Sequence, residues 1–273
     1  MEGRDRPYLI LFVLPALVFF TAFFLLPMAR LVAVGGSGSG GAATYAAIIT
    51  TPRYFRSLLS SLLLSLLVTG ATLLIAGIAG LFLERHRFSG RSLLVAMLTF
   101  PLAFPGVVVG FMVIMLAGRQ GVIGELSAIA TGQKVVFAYS MAGLFIGYLY
   151  FSIPRVILTI MAAAEKLDAR LEEAARSLGA RPWHVVRDVL IPALRPALFS
   201  SGAICFATSM GAFGTAFTLA TDIEVLPMTI YTEFTLRANF AVAAALSIVL
   251  GVITWAGLAL ARTAAGSTVA ASA

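Results

Sequence analysis

Residues 57–83 read SLLSSLLLSLLVTGATLLIAGIAGLFL, without one Asp, Glu, Lys or Arg. A bilayer core about 30 Å thick takes roughly 20 helical residues at about 1.5 Å each, so this run is long enough to cross it. Five more uncharged runs lie on either side, at 7–29, 92–118, 135–154, 196–221 and 238–261. Hydrophobic residues make up 60% of the 273, charged residues 11%. A soluble domain needs far more charge on its surface, so lipid is the expected solvent. Barrel strands alternate apolar and polar residues over about ten positions, which these continuous runs do not. The expected fold is an all-α integral membrane protein, one transmembrane domain over 1–273. Its six helices fall near 8–29, 57–83, 92–117, 135–160, 195–220 and 238–261.

The basic residues report the topology. With the N-terminus in the cytoplasm, 13 of the 19 Lys and Arg fall in inside segments and 6 in outside ones. Positive-inside bias favours that orientation, with both termini cytoplasmic. The first run is too long for a signal-peptide core and no small-residue cleavage site follows it, so it reads as an uncleaved helix. Cys205 is alone, and His86 and His184 have no cysteine partner nearby, so no disulfide and no metal site is expected. The net charge of +7 sits in loops rather than on a soluble face, which argues against nucleic acid as a partner.

Outside the runs, residues 35–41 have the Gly/Ser composition of a flexible linker. Gly36, Gly38 and Gly41 satisfy G-x-G-x-x-G, but no strand precedes them, so the dinucleotide reading fails. Residues 119–134 read as a short mixed loop. Asp222, Glu224 and Glu233 read as solvated loop acids that could also meet an arriving solute.

The interval between the fourth and fifth runs, 155–195, is long for a connector. Leu167, Leu171, Ala174, Ala175 and Leu178 recur at helical spacing, and Glu172 precedes Arg176 as a favourable i,i+4 pair. Gly179 stands where a left-handed C-cap is expected, Pro182 suits the first turn of a second short helix, and Pro192 is expected to stop it. Acids and bases alternate on the polar face without a basic excess, which favours docking into a protein over lying on lipid.

Glu173-Ala174-Ala175, then Gly179, then Val189-Leu190-Ile191-Pro192, resembles the EAA loop of binding-protein-dependent ABC importer permeases. Val189 and Ile191 replace the usual Ile and Leu and keep branched aliphatic side chains. The resemblance implies that loop 162–193 is a cytoplasmic coupling helix seated on an ATP-binding subunit. Glu173 would make polar contacts there, Ala174 and Ala175 would allow close approach, Gly179 would supply the turn, and Ile191 and Pro192 would close the motif. It further implies a second permease, the same chain or a different one, an extracytoplasmic solute-binding protein, and a home in the bacterial inner membrane. No G-x-x-x-x-G-K-[ST] loop occurs, so the chain is expected not to be an enzyme and to hold no cofactor itself, with ATP and Mg²⁺ on the partner subunit.

For the pathway, the fifth run carries the densest set of small and hydroxyl residues. Ser201, Thr208, Ser209, Gly211, Gly214 and Thr215 are the candidate lining, and helix packing is the blander alternative. Pro101 and Pro105 predict a kink or opening in the third run, and Tyr148 and Tyr150 line the path or pack. The uncharged cores of the runs disfavour an ion-coupled carrier or channel. Gly211-Ala212-Phe213-Gly214 and Leu226 to Tyr231 look like the branch handling sulfate, molybdate, ferric iron, polyamines and aminoalkylphosphonates. Several members have Gly-Glu-Phe-Gly there, and Ala212 replaces the acid. Polyamine or aminoalkylphosphonate is favoured, with sulfate, molybdate and ferric iron left open.

Overall fold

The computed structural model describes residues 6–38, 41, 43–219 and 223–265, and side chains from Phe12 onward. In chain order, α1 (Arg6–Phe20), a π turn (Thr21–Leu25) and α2 (Leu26–Gly35) form one run, followed by α3 (Ala43–Thr50) and the long α4 (Pro52–Arg85). Next come α5 (Arg91–Thr99), a 3-10 turn (Phe100–Ala103), α6 (Gly106–Ala117), α7 (Val122–Thr131) and α8 (Met141–Glu165). Short α9 (Arg170–Ser177) precedes α10 (Pro182–Val185), a π turn (Val186–Leu190) and α11 (Ile191–Met210). The chain ends with α12 (Gly214–Leu219), α13 (Leu226–Tyr231), a π turn (Thr232–Leu236) and α14 (Phe240–Ala265). Six stretches among the described residues are long and apolar enough to cross a membrane. The fold is an all-α membrane fold, as the runs predict.

Two compact units are distinguished. The smaller, Met1–Arg56 with Thr229–Gly251, holds the first span, α3 and the start of α14. Within it the Tyr45 hydroxyl donates to Val32 O at 3.0 Å, tying α3 to α2 across the glycine-rich turn. Of that turn, residues 39, 40 and 42 lie outside the described residues. Glu233 is buried in this unit. Arg237 donates to it at 3.0 Å and Arg53 lies 3.5 Å from the same oxygen, so it is not the solvated loop acid expected. A carboxylate removed from water requires such partners.

The larger unit, Ser57–Met228 with Val252–Ala273, carries the remaining spans. The buried side of α4 is Ser57, Ser61, Leu64, Ser65, Val68, Thr72, Ala76, Gly80 and Leu83, one stripe at helical spacing made mostly of small residues. Leu59, Leu63, Leu66, Leu67, Leu74 and Ile78 are exposed on other sides. In lipid no hydrophobic force separates the two faces, and helices associate by close approach of small residues, so the leucines face outward. A Cβ on Gly80 would stand 3.0 Å from Ile160 Cβ, which shows how near α4 and α8 come. Around α8 the core gathers Leu144, Tyr148, Val156, Ile157 and Ile160.

The third run opens where Pro101 and Pro105 predict it, and three other features of continuity depart from the sequence expectation. Phe104 and Pro105 are extended between the 3-10 turn and α6, because a proline cannot complete the helical ladder and biases the residue before it away from helix. The loop expected at 119–134 is largely α7, opened after extended Gly121 and ended by left-handed Gly132. Pro192 does not stop its helix. Pro182 to Met210 is one apolar helical stretch, and the π turn at Val186–Leu190 directly precedes the proline. In a tight α turn the Pro192 ring would press on the Asp188 carbonyl; the wider turn relieves that conflict. The fifth span then breaks at Gly211, before α12 begins at Gly214.

Candidate functional site

The two broken spans meet. Gly106 opens α6 and Gly214 opens α12, and the pair pack closely enough that a Cβ on Gly106 would be 3.1 Å from Thr215 N, and one on Gly214 3.1 Å from Val107 N. Thr215 Oγ1 donates to Gly106 O at 3.0 Å, a hydroxyl bond that ties the start of α12 to the start of α6, while Thr218 Oγ1 donates to Gly214 O at 3.0 Å within its own helix. From α8, the buried Tyr148 hydroxyl donates to Ala212 O at 2.6 Å and holds the second break in place. Non-helical backbone at membrane depth is tolerated where protein buries it or where it lines a cavity.

Beside the junction lies a cavity of about 270 Å³. Pro101, Leu102, Phe104 and Gly106 line it from the third span, Phe151 and Arg155 from α8, and Thr208, Ala212, Gly214 and Thr215 from the fifth. Arg155 is its one charged lining residue; no carboxylate is present among the described residues there. The guanidinium sits ten residues before the end of α8 at Glu165, roughly 15 Å of helix. Arg155 thus lies within the apolar stretch Met141–Glu165, and its side chain is exposed. Helix N-termini, hydroxyls and a guanidinium together suit a compact anion.

The second part of the site is the interval after α8. Asp168 Oδ1 accepts the Arg170 N–H at 3.0 Å at the start of α9. At its other end Gly179 has φ +84°, its N–H donates to Arg176 O at 2.9 Å, and the Ala180 N–H donates to Ala175 O at 3.1 Å. These two bonds are the paired closure of a left-handed glycine cap, and Pro182 opens α10 as the sequence predicts. The apolar positions of α9 are divided between core and surface, and one acid turns inward. Leu167 packs on the core, but Leu171 is 53% and Leu178 89% exposed, while Glu172 is buried. Glu173 and Ala174 are exposed and Ala175 half-buried. Trp183 and Ile191 are also exposed, as is Pro192. An apolar surface of this kind on a polar loop marks a contact surface.

Of the candidate pathway residues, Thr208, Gly214 and Thr215 line the cavity. Ser201 is buried and donates to Ala197 O at 2.7 Å in its own helix, which is packing. Ser209 is buried and Gly211 exposed, and neither lines the cavity. Tyr148 packs rather than lining it, and Tyr150 is absent from its wall. Glu224 is exposed, and Asp222 lies outside the described residues. No group of three or more His, Cys, Asp or Glu suited to a metal occurs among the described residues. Arg155 is the residue the sequence reading passed over. It lies just past the uncharged run that ends at Pro154, where the topology count places it among the cytoplasmic basic residues although the span is drawn to 160.

Residues 72–265 match the family described as "binding-protein-dependent transport system inner membrane component". The chain is 33% identical over 193 residues to the molybdenum transport system permease protein ModB of Escherichia coli (strain K12), covering 68% of this chain and 81% of that one. It is 30% identical over 270 residues to the putative 2-aminoethylphosphonate transport system permease protein PhnU of Salmonella typhimurium, covering 96% and 94%. Among solved structures, a chain of a bacterial alginate ABC transporter in complex with alginate pentasaccharide-bound periplasmic protein superposes with a TM-score of 0.78 at 18% identity, covering 94% of this chain and 93% of that one.

Proposed function

Since this chain belongs to the binding-protein-dependent transport system inner membrane component family and is a permease subunit of an ABC importer, we propose that it passes a compact, oxyanion-bearing solute of the aminoalkylphosphonate class. The observation that carries this reading is the cavity where Arg155 stands without a lining carboxylate. A polyamine or ferric ion would meet a like charge there, at a cost of about 3 kcal/mol for unit charges 5 Å apart at an effective dielectric constant near 20. A phosphonate meets a guanidinium fork suited to two of its oxygens. The similarity to PhnU runs the length of the chain, which supports a phosphonate over sulfate or molybdate.

The chain is a multi-pass inner-membrane protein, and hydrolysis of ATP falls to another subunit of such importers. We place loop 162–193 in the cytoplasm with both termini, docked on that ATP-binding subunit through Glu173, Ala174, Ala175, Leu178, Trp183 and Ile191. The exposure of Leu178 and Trp183 supports this. ATP and Mg²⁺ are held by the partner, a second permease of the same or another sequence completes the pathway, and an extracytoplasmic binding protein delivers the solute. Closure of the ATP-binding pair moves the loop, the broken spans open the cavity to the outside, and hydrolysis resets them.

Uptake by the reconstituted transporter tests the reading. 2-Aminoethylphosphonate is expected to accumulate in an ATP-dependent way and putrescine not to. ATP-driven putrescine uptake overturns the solute class, and failure of the permease to co-purify with an ATP-binding subunit overturns the docking.

A further inference from the structure

Two ion pairs meet at the end of α4. Gly90, with φ 89°, turns the chain sharply from α4 into α5. Arg91 then reaches back, its Nε donating to Leu83 O at 2.5 Å and its Nη2 to Glu84 Oε2 at 2.9 Å. The next residue of α4, Arg85, points to a different element. Its Nε lies 2.7 Å from Glu172 Oε1 in α9, with the two side chains only 23% and 10% exposed. Arg176 approaches the other oxygen of Glu172 at 3.4 Å. Glu172 thus bridges the docking helix to the second span, while its neighbour Glu173 is left exposed.

This arrangement fixes the rotation of α9. A carboxylate withdrawn from water needs its charge partner, so turning Glu172 away from Arg85 strands a half-buried guanidinium as well as a carboxylate. The same contact governs where motion goes. The docking loop is joined to one wall of the cavity by chain continuity, since α10, the π turn and α11 run unbroken from Pro182 to Met210, two residues before Ala212. The other wall, Pro101 to Gly106, hangs from α5, and α5 is bound to the end of α4 by the Arg91 contacts. Arg85–Glu172 is the ion pair that joins α9 to this second route.

We propose that Arg85 and Glu172 form a clasp that makes the docking helix move with the α4–α5 turn, so that motion of the ATP-binding partner reaches both broken walls of the cavity. They are positioning residues, since neither lines the cavity. The proposal rests on the docking of loop 162–193 described above.

The test uses the complete transporter in liposomes, with Cys205→Ser and a single reporter cysteine on either wall, Leu102→Cys or Thr208→Cys. A thiol reagent reads the labelling rate at each position with and without ATP and vanadate. With the clasp intact, nucleotide is expected to change the rate at both walls by at least about fivefold, the low end of coupling between sites. With Glu172→Gln or Arg85→Gln the response at Leu102→Cys collapses towards unity while that at Thr208→Cys persists, and Arg85→Glu with Glu172→Arg restores it. A structural pair with no part in coupling instead moves both walls together or neither, and either result overturns the clasp, as does a lack of response at both walls before the pair is altered. Co-purification of the ATP-binding subunit is scored on the same samples. Its absence strikes the docking reading, whereas its presence with an unchanged Leu102→Cys response strikes the clasp alone.

Discussion

Arg155→Gln removes the one charge lining the cavity while keeping a polar, shorter side chain. A guanidinium and a unit negative charge 4 Å apart attract by about 4 kcal/mol at an effective dielectric constant near 20. Arg155 is exposed and the cavity is open on one side, so solvent screens much of this. A retained interaction of ~1–2 kcal/mol is the reasonable value, between a surface pair and a charged hydrogen bond. That corresponds to a drop of about 5- to 30-fold in solute handling. The assay is the initial rate of 2-aminoethylphosphonate uptake into liposomes holding the full transporter, at saturating loaded binding protein. Arg155→Lys keeps the charge but loses the planar fork, so its rate is expected between the two. Uptake by Arg155→Gln at the unaltered rate, in a complex that still contains the ATP-binding subunit, refutes the reasoning about this cavity.

Further substitutions probe the scaffold at four positions. Gly179→Ala is expected to cost about 1–2 kcal/mol of loop stability, because φ +84° disfavours any Cβ although no atom lies within 4 Å of it, whereas Gly179→Asn is milder; proteolysis of loop 162–193 in the purified permease separates them. Tyr148→Phe leaves Ala212 O without its 2.6 Å donor and should lower stability by roughly 1–1.5 kcal/mol, read as a drop in thermal midpoint in detergent. Gly110→Ala places a Cβ 2.6 Å from Thr218 Cβ, and overpacking of about 1–3 kcal/mol at the α6–α12 contact should lower the midpoint, while Gly70→Ala, with nothing within 4 Å, should not.

The number and type of helices were legible because lipid imposes a length and an absence of charge that residues 57–83 display directly. Continuity was less so. Pro101 and Pro105 announced a break in the third span and the break is there, but Pro192 announced one that is not. The difference is local. At Phe104–Pro105 the chain packs against α12, and Thr215 bonds Gly106 O across the contact, so the opened segment is held by protein on its other side. At Pro192 the chain keeps its ladder by widening the turn before the proline instead. Proline states that a helix cannot go on in its ordinary form; which remedy is adopted depends on partners distant in sequence.

The docking loop shows the same limit at finer grain. Its turn was fully legible, since left-handed geometry at Gly179 and a proline at the next helix start are matters of backbone chemistry. Its faces were legible only in part. The helical spacing sets Leu171 and Leu178 on an apolar face suited to docking, and both are exposed, but it sets Glu172 on the charged face, and Glu172 is buried. The exposed leucines suit the proposed docking surface, and the buried acid needs a separate account. The inward face is decided by Arg85, more than eighty residues earlier, which offers Glu172 a counter-charge at 2.7 Å. No spacing within the loop reports that charge. In the proposed docking, the buried acid anchors the helix within the chain and the exposed leucines meet the partner. Here that separates Glu172, which holds the helix, from Glu173, which the family motif singles out.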